Sequence, residues 1–268
     1  MLKSRLPFIG LTVLTAVSAF GQLQDNRDKQ LNCQDRNNDR RAHKCDVREQ
    51  TLASVGQLTL DPGRNGGVSV KGWTRSDVLV RSRVEAWGDS DSDAGLVFSQ
   101  VHVDGAAGRV AASGPESSNN SYWSVSYEVF APQIQDLKIT ALNGGISVWD
   151  MNGRLDVDTK NGGLDLKRVI GDVTGKTKNG GVHLTLARSA WQGRQLDLET
   201  VNGGVTISAP ANFQARIQAE TVNGGIRSDF GGVVEGSRRP RKLDVTLGGG
   251  GATLKVATKN GGISLARI

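Results

Sequence analysis

The chain has 268 residues, with 33 lysines and arginines against 27 aspartates and glutamates, and its formal net charge is +6 at pH 7. The basic residues are spread along the chain, so the charge does not indicate a nucleic-acid partner. Glycine is enriched to 35 residues, whereas proline occurs only 6 times, which excludes the composition of a disordered linker.

Residues 1–21 have the features of a secretory signal peptide. Lys3 and Arg5 precede an apolar stretch over residues 6–20, and small residues and a polar segment follow it. This stretch is shorter than the roughly 20 apolar residues of a membrane span, and a proline and a glycine interrupt it. We therefore expect cleavage near Gly21. The mature chain is expected to have no transmembrane segment and to be exported to the periplasm, the cell surface or the extracellular space.

Residues 22–54 form a predicted N-terminal segment that carries the two cysteines, Cys33 and Cys45. In an exported chain an even cysteine count indicates a disulfide. Closing a loop of this length stabilises a fold by about 3 kcal/mol in the chain-entropy model. His43 lies nearby, but two thiols and one histidine are an incomplete zinc set. We expect a disulfide, no metal and no cofactor, and we expect this segment to cap one end of the fold.

Seven Asn-Gly-Gly corners dominate the rest of the chain, residues 55–268. The corner asparagines are Asn65, Asn143, Asn161, Asn179, Asn202, Asn223 and Asn260. In five copies a threonine lies two residues before the asparagine, as in "TKNGG" and "TVNGG". Successive regular copies are 18 to 23 residues apart, which is typical of a repeat architecture. The first gap is about four repeats long and the last is about two.

Each repeat alternates apolar and polar residues on both sides of its corner, as in "LDVDT" from Leu155 and "VHLTL" from Val182. This period of two indicates strands that bury one face. Asn and Gly accept left-handed backbone angles, which predicts a sharp turn at each corner. Two architectures fit the pattern: an antiparallel meander with Asn-Gly hairpins, and a parallel β-solenoid whose coils stack on one another.

The identity of equivalent residues favours the solenoid. A meander places equivalent positions two strands apart, where nothing requires them to match. A solenoid stacks them about 4.8 Å apart, so that like residues form ladders and asparagine amides bond along the stack. The sequence therefore predicts an all-β fold, a single-stranded parallel β-helix or β-solenoid with about 18–23 residues per coil, in which each coil rests on the previous one.

Three segments depart from the regular pattern. The N-terminal half contains β-type runs such as "LVFSQVHVDG", and we expect coils with altered corners there, joined by loops such as "GDSDSDAG". The segment Ser228 to Lys242 is predicted to be a loop. The run "LGGGGATLKV" from Leu247 fits either a degenerate coil or a tight bend.

The order of these motifs resembles a known family. The succession "NGGVSVKGW", "DVLVRSRVEAW", "VSYEVFAP" and "LKITALNGGISV", followed by repeated Thr-x-Asn-Gly-Gly, is similar to a bacterial adhesin-like β-strand-repeat family, a domain of unknown function. The resemblance covers roughly residues 55–268. It implies a parallel β-helix and a surface role, and it supplies no catalytic residues.

The residues with chemical potential are few. None of the three histidines falls in a metal-ligand or nucleophile motif, and His183 is predicted to face solvent. Asp156, Asp158 and Asp165 are the candidates for a carboxylate cluster, which would suit a polysaccharide hydrolase or lyase as the alternative function. They alternate with aliphatic residues, however, as expected for the solvated face of a strand. We therefore expect no catalytic site.

Basic and aromatic residues are the candidate binding residues. The run "RRPRK" contains Arg238, Arg239, Arg241 and Lys242 and would contact anionic envelope polymer or lipid headgroups in a salt-sensitive way. Trp149 follows an inward valine and is expected to be exposed, where it could stack on sugars. The leading interpretation is an exported, non-enzymatic, adhesin-like or envelope-scaffold protein that binds a surface polymer or protein through an extended face. Homo-oligomerisation is compatible with this interpretation.

Overall fold

The computed structural model describes residues 31–33, 41–106, 108–118, 120–231 and 241–268. The predicted signal peptide lies outside the described residues, as do Arg238 and Arg239 of the basic run. Leu31–Ile268 belongs to one compact unit. Within the described part of the chain, no helix is long and apolar enough to cross a membrane.

The described residues form twenty strands and one helix. In chain order they are β1 (Ala42–Ala53), β2 (Gln57–Asp61), β3 (Val68–Trp73), β4 (Asp77–Gly88), α1 (Asp91–Ser99), β5 (His102–Ala106), β6 (Arg109–Ser113), β7 (Tyr122–Pro132), β8 (Asp136–Asn143), β9 (Ile146–Trp149), β10 (Leu155–Asn161), β11 (Leu164–Lys167), β12 (Val173–Asn179), β13 (Val182–Thr185), β14 (Gln195–Asn202), β15 (Val205–Ala209), β16 (Ala215–Asn223), β17 (Ile226–Ser228), β18 (Lys242–Leu247), β19 (Thr253–Asn260) and β20 (Ile263–Arg267).

The strands form two ten-stranded, mostly parallel sheets. The first sheet has the order β1-β4-β7-β3-β9-β11-β13-β15-β20-β17, and the second has the order β18-β16-β19-β14-β12-β10-β8-β2-β6-β5. At a regular corner the chain passes from the second sheet to the first, as from β10 to β11. The all-β expectation is confirmed, and the parallel register of β8, β10, β12 and β14 excludes the antiparallel meander for these strands.

The alternating sequence explains the core. In β10, Leu155 and Val157 are fully buried, whereas Asp156 and Asp158 are exposed. Parallel pairing places Leu155 beside Leu137 on one neighbour and Val173 on the other, so that aliphatic side chains form continuous columns. Each fully buried aliphatic side chain contributes roughly 1.5–3 kcal/mol. A shift of one residue would expose the whole set, so the alternation also fixes the register.

The order of the last strands differs from the prediction that each coil rests on the previous one. Strand β19 lies between β14 and β16, so the last repeat is inserted between two earlier ones. The charges give a physical reason. With the threonines in register, direct stacking of β16 on β14 would place Glu220 beside Glu199, whereas the inserted strand places Ala257 between them. Like charges on paired strands are unfavourable by a few tenths of a kcal/mol.

The segment before the inserted strand was predicted only in part. The predicted loop from Ser228 to Lys242 contains residues 232–240, which lie outside the described range. Strand β18 then pairs antiparallel with β16. The glycines after Leu247 form a turn, in which Gly248 and Gly250 adopt left-handed φ angles of 56° and 78°. This run is therefore a tight bend that leads into β19.

The N-terminal half is not a set of coils with altered corners. Strand β4 pairs antiparallel with both β1 and β7, and β7 returns to pair parallel with β3. The long stretch of chain between the first two corners leaves the stack and returns to it, because Asn65 pairs directly with Asn143. The predicted loop "GDSDSDAG" leads into α1, and Leu96, assigned to a β-type run, is helical. Ser90 caps this helix by accepting a hydrogen bond from the backbone N–H of Asp93 at 3.1 Å.

Glycine is required at the corners because of close backbone approach. We predicted left-handed angles, yet among the first glycines of the corners only Gly66 has a left-handed φ, of 137°. At Gly144, Gly162 and Gly180, a Cβ atom would lie 2.0–2.1 Å from the carbonyl oxygen of the corner stacked beneath. No side chain fits in that space, so stacking alone imposes glycine.

Candidate binding surfaces

The seven corner asparagines form one continuous column of side-chain hydrogen bonds. The spatial order is Asn65, Asn143, Asn161, Asn179, Asn202, Asn260 and Asn223, and from Asn143 onward each Nδ2 donates to the Oδ1 of the preceding asparagine at 2.7–3.0 Å. At the Asn65 end, Nδ2 of Asn65 donates to the carbonyl oxygen of Trp123 at 3.2 Å. The column therefore connects the regular repeats with the N-terminal excursion.

A second column, formed by threonines, runs beside the asparagines inside the protein. Its members are Thr159, Thr177, Thr200, Thr258 and Thr221, and all are at most 4% exposed. Each hydroxyl donates to the carbonyl oxygen of the first glycine in the neighbouring corner, as from Thr159 to Gly144 at 2.8 Å. Since buried hydroxyls need partners, this bond accounts for the repeated threonine. The two columns fix the backbone between them.

The residue between threonine and asparagine points outward and lines a shallow groove, which we call the corner groove. In spatial order the five outward residues are Lys160, Lys178, Val201, Lys259 and Val222, and all are exposed. The groove has a volume of about 580 Å³ and crosses β10, β12, β14, β19 and β16. Val201 and Val222, each next to the last residue of its strand, are 38% and 49% exposed and add apolar surface to the groove.

The corner groove contains both paired and unpaired cations. Within the groove, Lys176 pairs with Glu199 at 3.5 Å; the groove residue Glu220 pairs at 3.2 Å with Lys242, which lies beside the groove. Among the described residues, Lys160, Lys178 and Lys259 have no ion pair; their positions on the backbone are set by the columns on either side. Lys160 and Lys178 lie on adjacent strands, so their mutual repulsion is mildly unfavourable. An anionic ligand along the groove would remove this repulsion.

Sequence reasoning missed these groove residues. The signal was the variable position of Thr-x-Asn-Gly-Gly, where the chain has Lys, Lys, Val, Val and Lys in sequence order. An outward direction follows from the alternation, since the position lies next to a buried threonine. The spatial order Lys, Lys, Val, Lys and Val could not be predicted from the sequence, because it depends on the insertion of β19 between β14 and β16.

The predicted binding residues are distributed over both sheets. Lys242 lies near the corner groove through its pair with Glu220, and the carbonyl of the exposed Arg241 accepts a hydrogen bond from the Thr221 N–H at 2.8 Å. Trp149, in the first sheet, is half-buried rather than exposed, and the Lys167 amine lies 5.4 Å from its ring centroid. This cation–π contact occupies part of the surface that a sugar would use.

The structure does not bring the three candidate carboxylates together. Asp156 and Asp158 project from β10 in the second sheet, whereas Asp165 belongs to β11 in the first sheet and pairs with Lys167 at 3.0 Å. A paired-carboxylate site requires two carboxyl groups on opposite sides of one bond. Asp165 lies on a different sheet from Asp156 and Asp158 and therefore cannot form a carboxylate pair with either of them. His183 is exposed, as predicted.

Near the N-terminus, Cys33 and Cys45 are joined by a disulfide, as the sequence indicated. His43, Cys45 and Glu85 have possible ligand atoms within 4.8 Å of one another. The disulfide removes the thiolate that a metal would need from Cys45. His43 instead stacks on Trp87 at 4.8 Å, and its Nε2 lies 3.5 Å from Glu85. These contacts give the histidine a structural role.

Comparison with known proteins gave matches to solved structures and to one family model. The solved structures that match this chain include a "putative cell adhesion protein" from Clostridium sporogenes, which is 14% identical over 84% of this chain and 100% of that chain, with a TM-score of 0.47. A "putative adhesin" from Bacteroides fragilis is 9% identical over 84% and 97%, with a TM-score of 0.40. A "putative lipid binding protein" from Parabacteroides distasonis is 9% identical over 83% and 97%, with a TM-score of 0.29.

A search of curated proteins gave no significant match. The profile of the Toastrack DUF4097 family matches residues 54–266, which include all seven corners and every described strand except β1 and the last residue of β20. This range agrees with the resemblance seen over residues 55–268. The chain therefore belongs to the Toastrack DUF4097 family.

Proposed function

We propose that the protein is an exported, non-enzymatic, adhesin-like or envelope-scaffold β-solenoid whose corner groove binds an extended anionic polymer. The solenoid assignment is supported by in-register parallel pairing of successive repeats, as between β10 and β12. The sequence separation between bonded asparagines equals the repeat length: it is 18 residues from Asn161 to Asn179 and 23 residues from Asn179 to Asn202. Export is supported by the predicted signal peptide and by the disulfide, which persists in oxidising compartments.

The observation that carries this function is the row of lysines without ion pairs in the described corner groove. Neighbouring strands lie about 4.8 Å apart, so Lys160 and Lys178 present their charges at one strand spacing, and Lys259 follows two strands further on. A polymer with regularly spaced carboxylates or phosphates can meet such a row at several points. The exposed Val201, between Lys178 and Lys259, and Val222, beyond Lys259, offer apolar contact to the polymer backbone.

Rigidity of the groove supports binding by several weak contacts. The asparagine and threonine columns hold the backbone on both sides of each groove residue. A pre-organised row avoids much of the ordering entropy that binding otherwise costs. Each lysine contact to an anion at the surface contributes only about 0.2–1 kcal/mol. Useful affinity therefore requires a repeated ligand.

The test compares an anionic with a neutral polysaccharide. Polygalacturonate and dextran would be immobilised, and binding of the mature protein would be measured at low and at physiological salt. We expect binding to polygalacturonate only, weakening as salt increases. Replacing Lys160, Lys178 and Lys259 together by glutamine should weaken it about tenfold, which corresponds to 1.4 kcal/mol.

A matched control removes the same charge elsewhere. Lys44, Lys138 and Lys255 are exposed and lie outside the corner groove, so their combined replacement by glutamine lowers the net charge equally. This control should bind almost as well as the unmodified protein. Equal losses in both triple variants would show that only net charge matters and would refute the groove as the binding site.

A further inference from the structure

A cavity lies at the other set of connections, where the chain returns from the first sheet to the second. We call it the Trp191 cavity. Its walls come from the stacked segments Asp150–Asn152, Arg168–Ile170 and Leu186–Arg188, together with Trp191 and Phe213. Its volume is about 420 Å³, within the 300–1,000 Å³ range that is usual for small-molecule sites. It shares no residue with the corner groove.

The floor of the Trp191 cavity is formed by apolar side chains. Met151, Val169, Leu186 and Phe213 form it and are at most 3% exposed, and the exposed Ala187 and Ala190 also line the cavity. At its edge Ile134 is 80% exposed, the highest value among the large exposed hydrophobic residues described. An exposed isoleucine beside an apolar cavity extends the apolar surface outward. A hydrocarbon chain could cover Ile134 and fill the cavity together.

The rim of the cavity carries two arginines, of which one is ion-paired and the other is not. Arg168 donates from Nε and Nη2 to the two carboxylate oxygens of Asp150 at 2.6 and 2.7 Å. Both residues have left-handed backbone angles, with φ of 52° and 59°. This conformation costs roughly 1–2 kcal/mol per residue. The neighbouring Arg188 is exposed and has no hydrogen bond or ion pair among the described residues. Its guanidinium is therefore available to a ligand.

The buried indole N–H of Trp191 is not a donor for this cavity. Nε1 has no acceptor within the described chain, and the residue is only 7% exposed. A Cβ atom at Gly193 would lie 2.8 Å from this nitrogen, so Nε1 faces the Gly193 turn, and Gly193 is not among the residues that line the cavity. Arg188 is therefore the donor on which a ligand head group would depend.

We propose that the Trp191 cavity binds a single-chain amphiphile with a carboxylate head group, such as a medium-chain fatty acid. The chain lies along the exposed Ile134, Ala187 and Ala190, over the buried apolar floor, and the carboxylate pairs with Arg188. Within the described chain, Arg188 on the rim lacks an acceptor, so an anionic head group complements it. A cationic head would meet Arg188 with like charge, and a plain hydrocarbon would leave Arg188 without a partner.

Three probes separate the parts of this proposal. The mature protein would be titrated calorimetrically with decanoate, with decyltrimethylammonium and with acetate, each below its micelle concentration where one applies. We expect saturable binding of one decanoate per chain, at least tenfold weaker binding of the cationic amphiphile, and no binding of acetate. Equal binding of both amphiphiles would indicate non-specific hydrophobic association and would overturn the proposal, as would the absence of decanoate binding.

Two variants locate the site without disturbing the core. Arg188→Gln changes an exposed side chain and should weaken decanoate binding about tenfold while leaving the cationic probe unchanged or stronger. Arg227→Gln, on an exposed position of β17 outside the cavity, is the charge-matched control. If Arg227→Gln and Arg188→Gln had the same effect, the cavity would not be the binding site.

Discussion

Asn223 donates its side-chain amide to Asn260 at 2.8 Å, and Asn260 in turn donates to Asn202 at 2.7 Å. The sixth corner of the sequence therefore rests on the seventh, and the seventh rests on the fifth. The backbone shows the same order, because β19 is paired with both β14 and β16. The last repeat is thus an internal layer of the second sheet rather than its end.

The inserted strand makes the end of the chain necessary for an earlier repeat. A variant that ends at Gly248 lacks β19 and β20, so β16 keeps only its antiparallel partner β18. We expect the β16 amides to lose protection in hydrogen exchange measured by mass spectrometry, while β12 amides stay protected. Retained protection in β16 would mean that it can dock directly on β14, which would contradict the prediction.

The buried threonine column contributes to stability through its hydroxyls. Thr200→Val keeps the shape of the side chain but removes the bond to the Gly180 carbonyl at 2.8 Å. We expect a loss of about 1–3 kcal/mol in the free energy of unfolding, because a buried acceptor loses its side-chain donor. Urea denaturation would measure it. Thr140→Val, at an exposed position of β8, should change stability by less than about 0.5 kcal/mol; a similar loss there would show that the hydroxyl bond is not the cause.

Corner glycines should be intolerant of any side chain. In Gly180→Ala the new Cβ would lie 2.0 Å from the Gly162 carbonyl oxygen, so the stacked backbones must separate. We expect a destabilisation of about 1–3 kcal/mol, measured by thermal and urea unfolding. Gly95→Ala is the matched control, because a Cβ at this helical glycine would have open space around it out to 4 Å and alanine favours helix by about 0.5–1 kcal/mol. A tolerated Gly180→Ala would show that the corners can relax.

The pair Arg216–Asp244 links β16 to β18 and should make stability depend on acid pH. Hydrogen bonds from Arg216, and then from Gln218, lower the pKa of the Asp244 carboxyl from its ordinary value of 3.8 to about 2. Because the folded pKa is lowered, the stabilisation is fully present above the ordinary pKa and is lost as pH falls towards 2.

Asp244→Asn should therefore reduce the steepness of the stability change between about pH 4 and pH 2. The effect is small, because both partners are about half exposed and water screens the pair. Chemical denaturation at several pH values would measure it. Asp158→Asn removes a carboxylate with no ion pair among the described residues and serves as the comparison. Identical pH profiles for the unmodified protein and Asp244→Asn would count against this role.

The disulfide should stabilise the N-terminal edge of the first sheet. Cys45 lies in β1, whose only strand partner in the described structure is β4. Reduction, or replacement of Cys33 and Cys45 by serine, is expected to lower the free energy of unfolding by about 2–4 kcal/mol. The weakened β1 would also expose an edge that is prone to association, which light scattering would detect. Unchanged melting and an unchanged monomer under reducing conditions would refute this role.

The repeated residues were sufficient to predict which positions meet, but they could not predict the order of the repeats. The threonine before each corner and the asparagine in it imply stacking, and both form columns in the structure. However, every copy offers the same donors and acceptors, so any copy can rest on any other. The order depends on weaker differences such as Asp197 beside Lys255 and the separation of Glu199 from Glu220, which are visible only once a register is known.

The N-terminal half was harder to predict because its strands alternate in the same way whether they pair parallel or antiparallel. Val80 and Val84 are fully buried in β4, as they would be in a coil, and nothing local shows the reversal of direction. The helix was missed although its signal was present. Ser90 followed three residues later by Asp93 is typical of a helix N-terminus, but the polar composition favoured the interpretation as a loop.

The candidate surfaces were predictable to different degrees. The outward direction of Lys160 and Lys178 follows from alternation alone. The Trp191 cavity does not, because Trp191 and Phe213 come from irregular segments whose position depends on the connections between sheets. Trp149 was predicted to be exposed because it follows a buried valine, but Lys167 on the adjacent strand packs over its ring.

The interleaved position of β19 also has a consequence for biosynthesis. A polypeptide that is made from its N-terminus delivers residues 215–228 well before residues 253–267. Strand β16 cannot complete its native pairing until β19 has been made, so the nascent chain must keep β16 away from the sterically similar site on β14. Synthesis of β19 is therefore the event that allows this part of the second sheet to close in its native order.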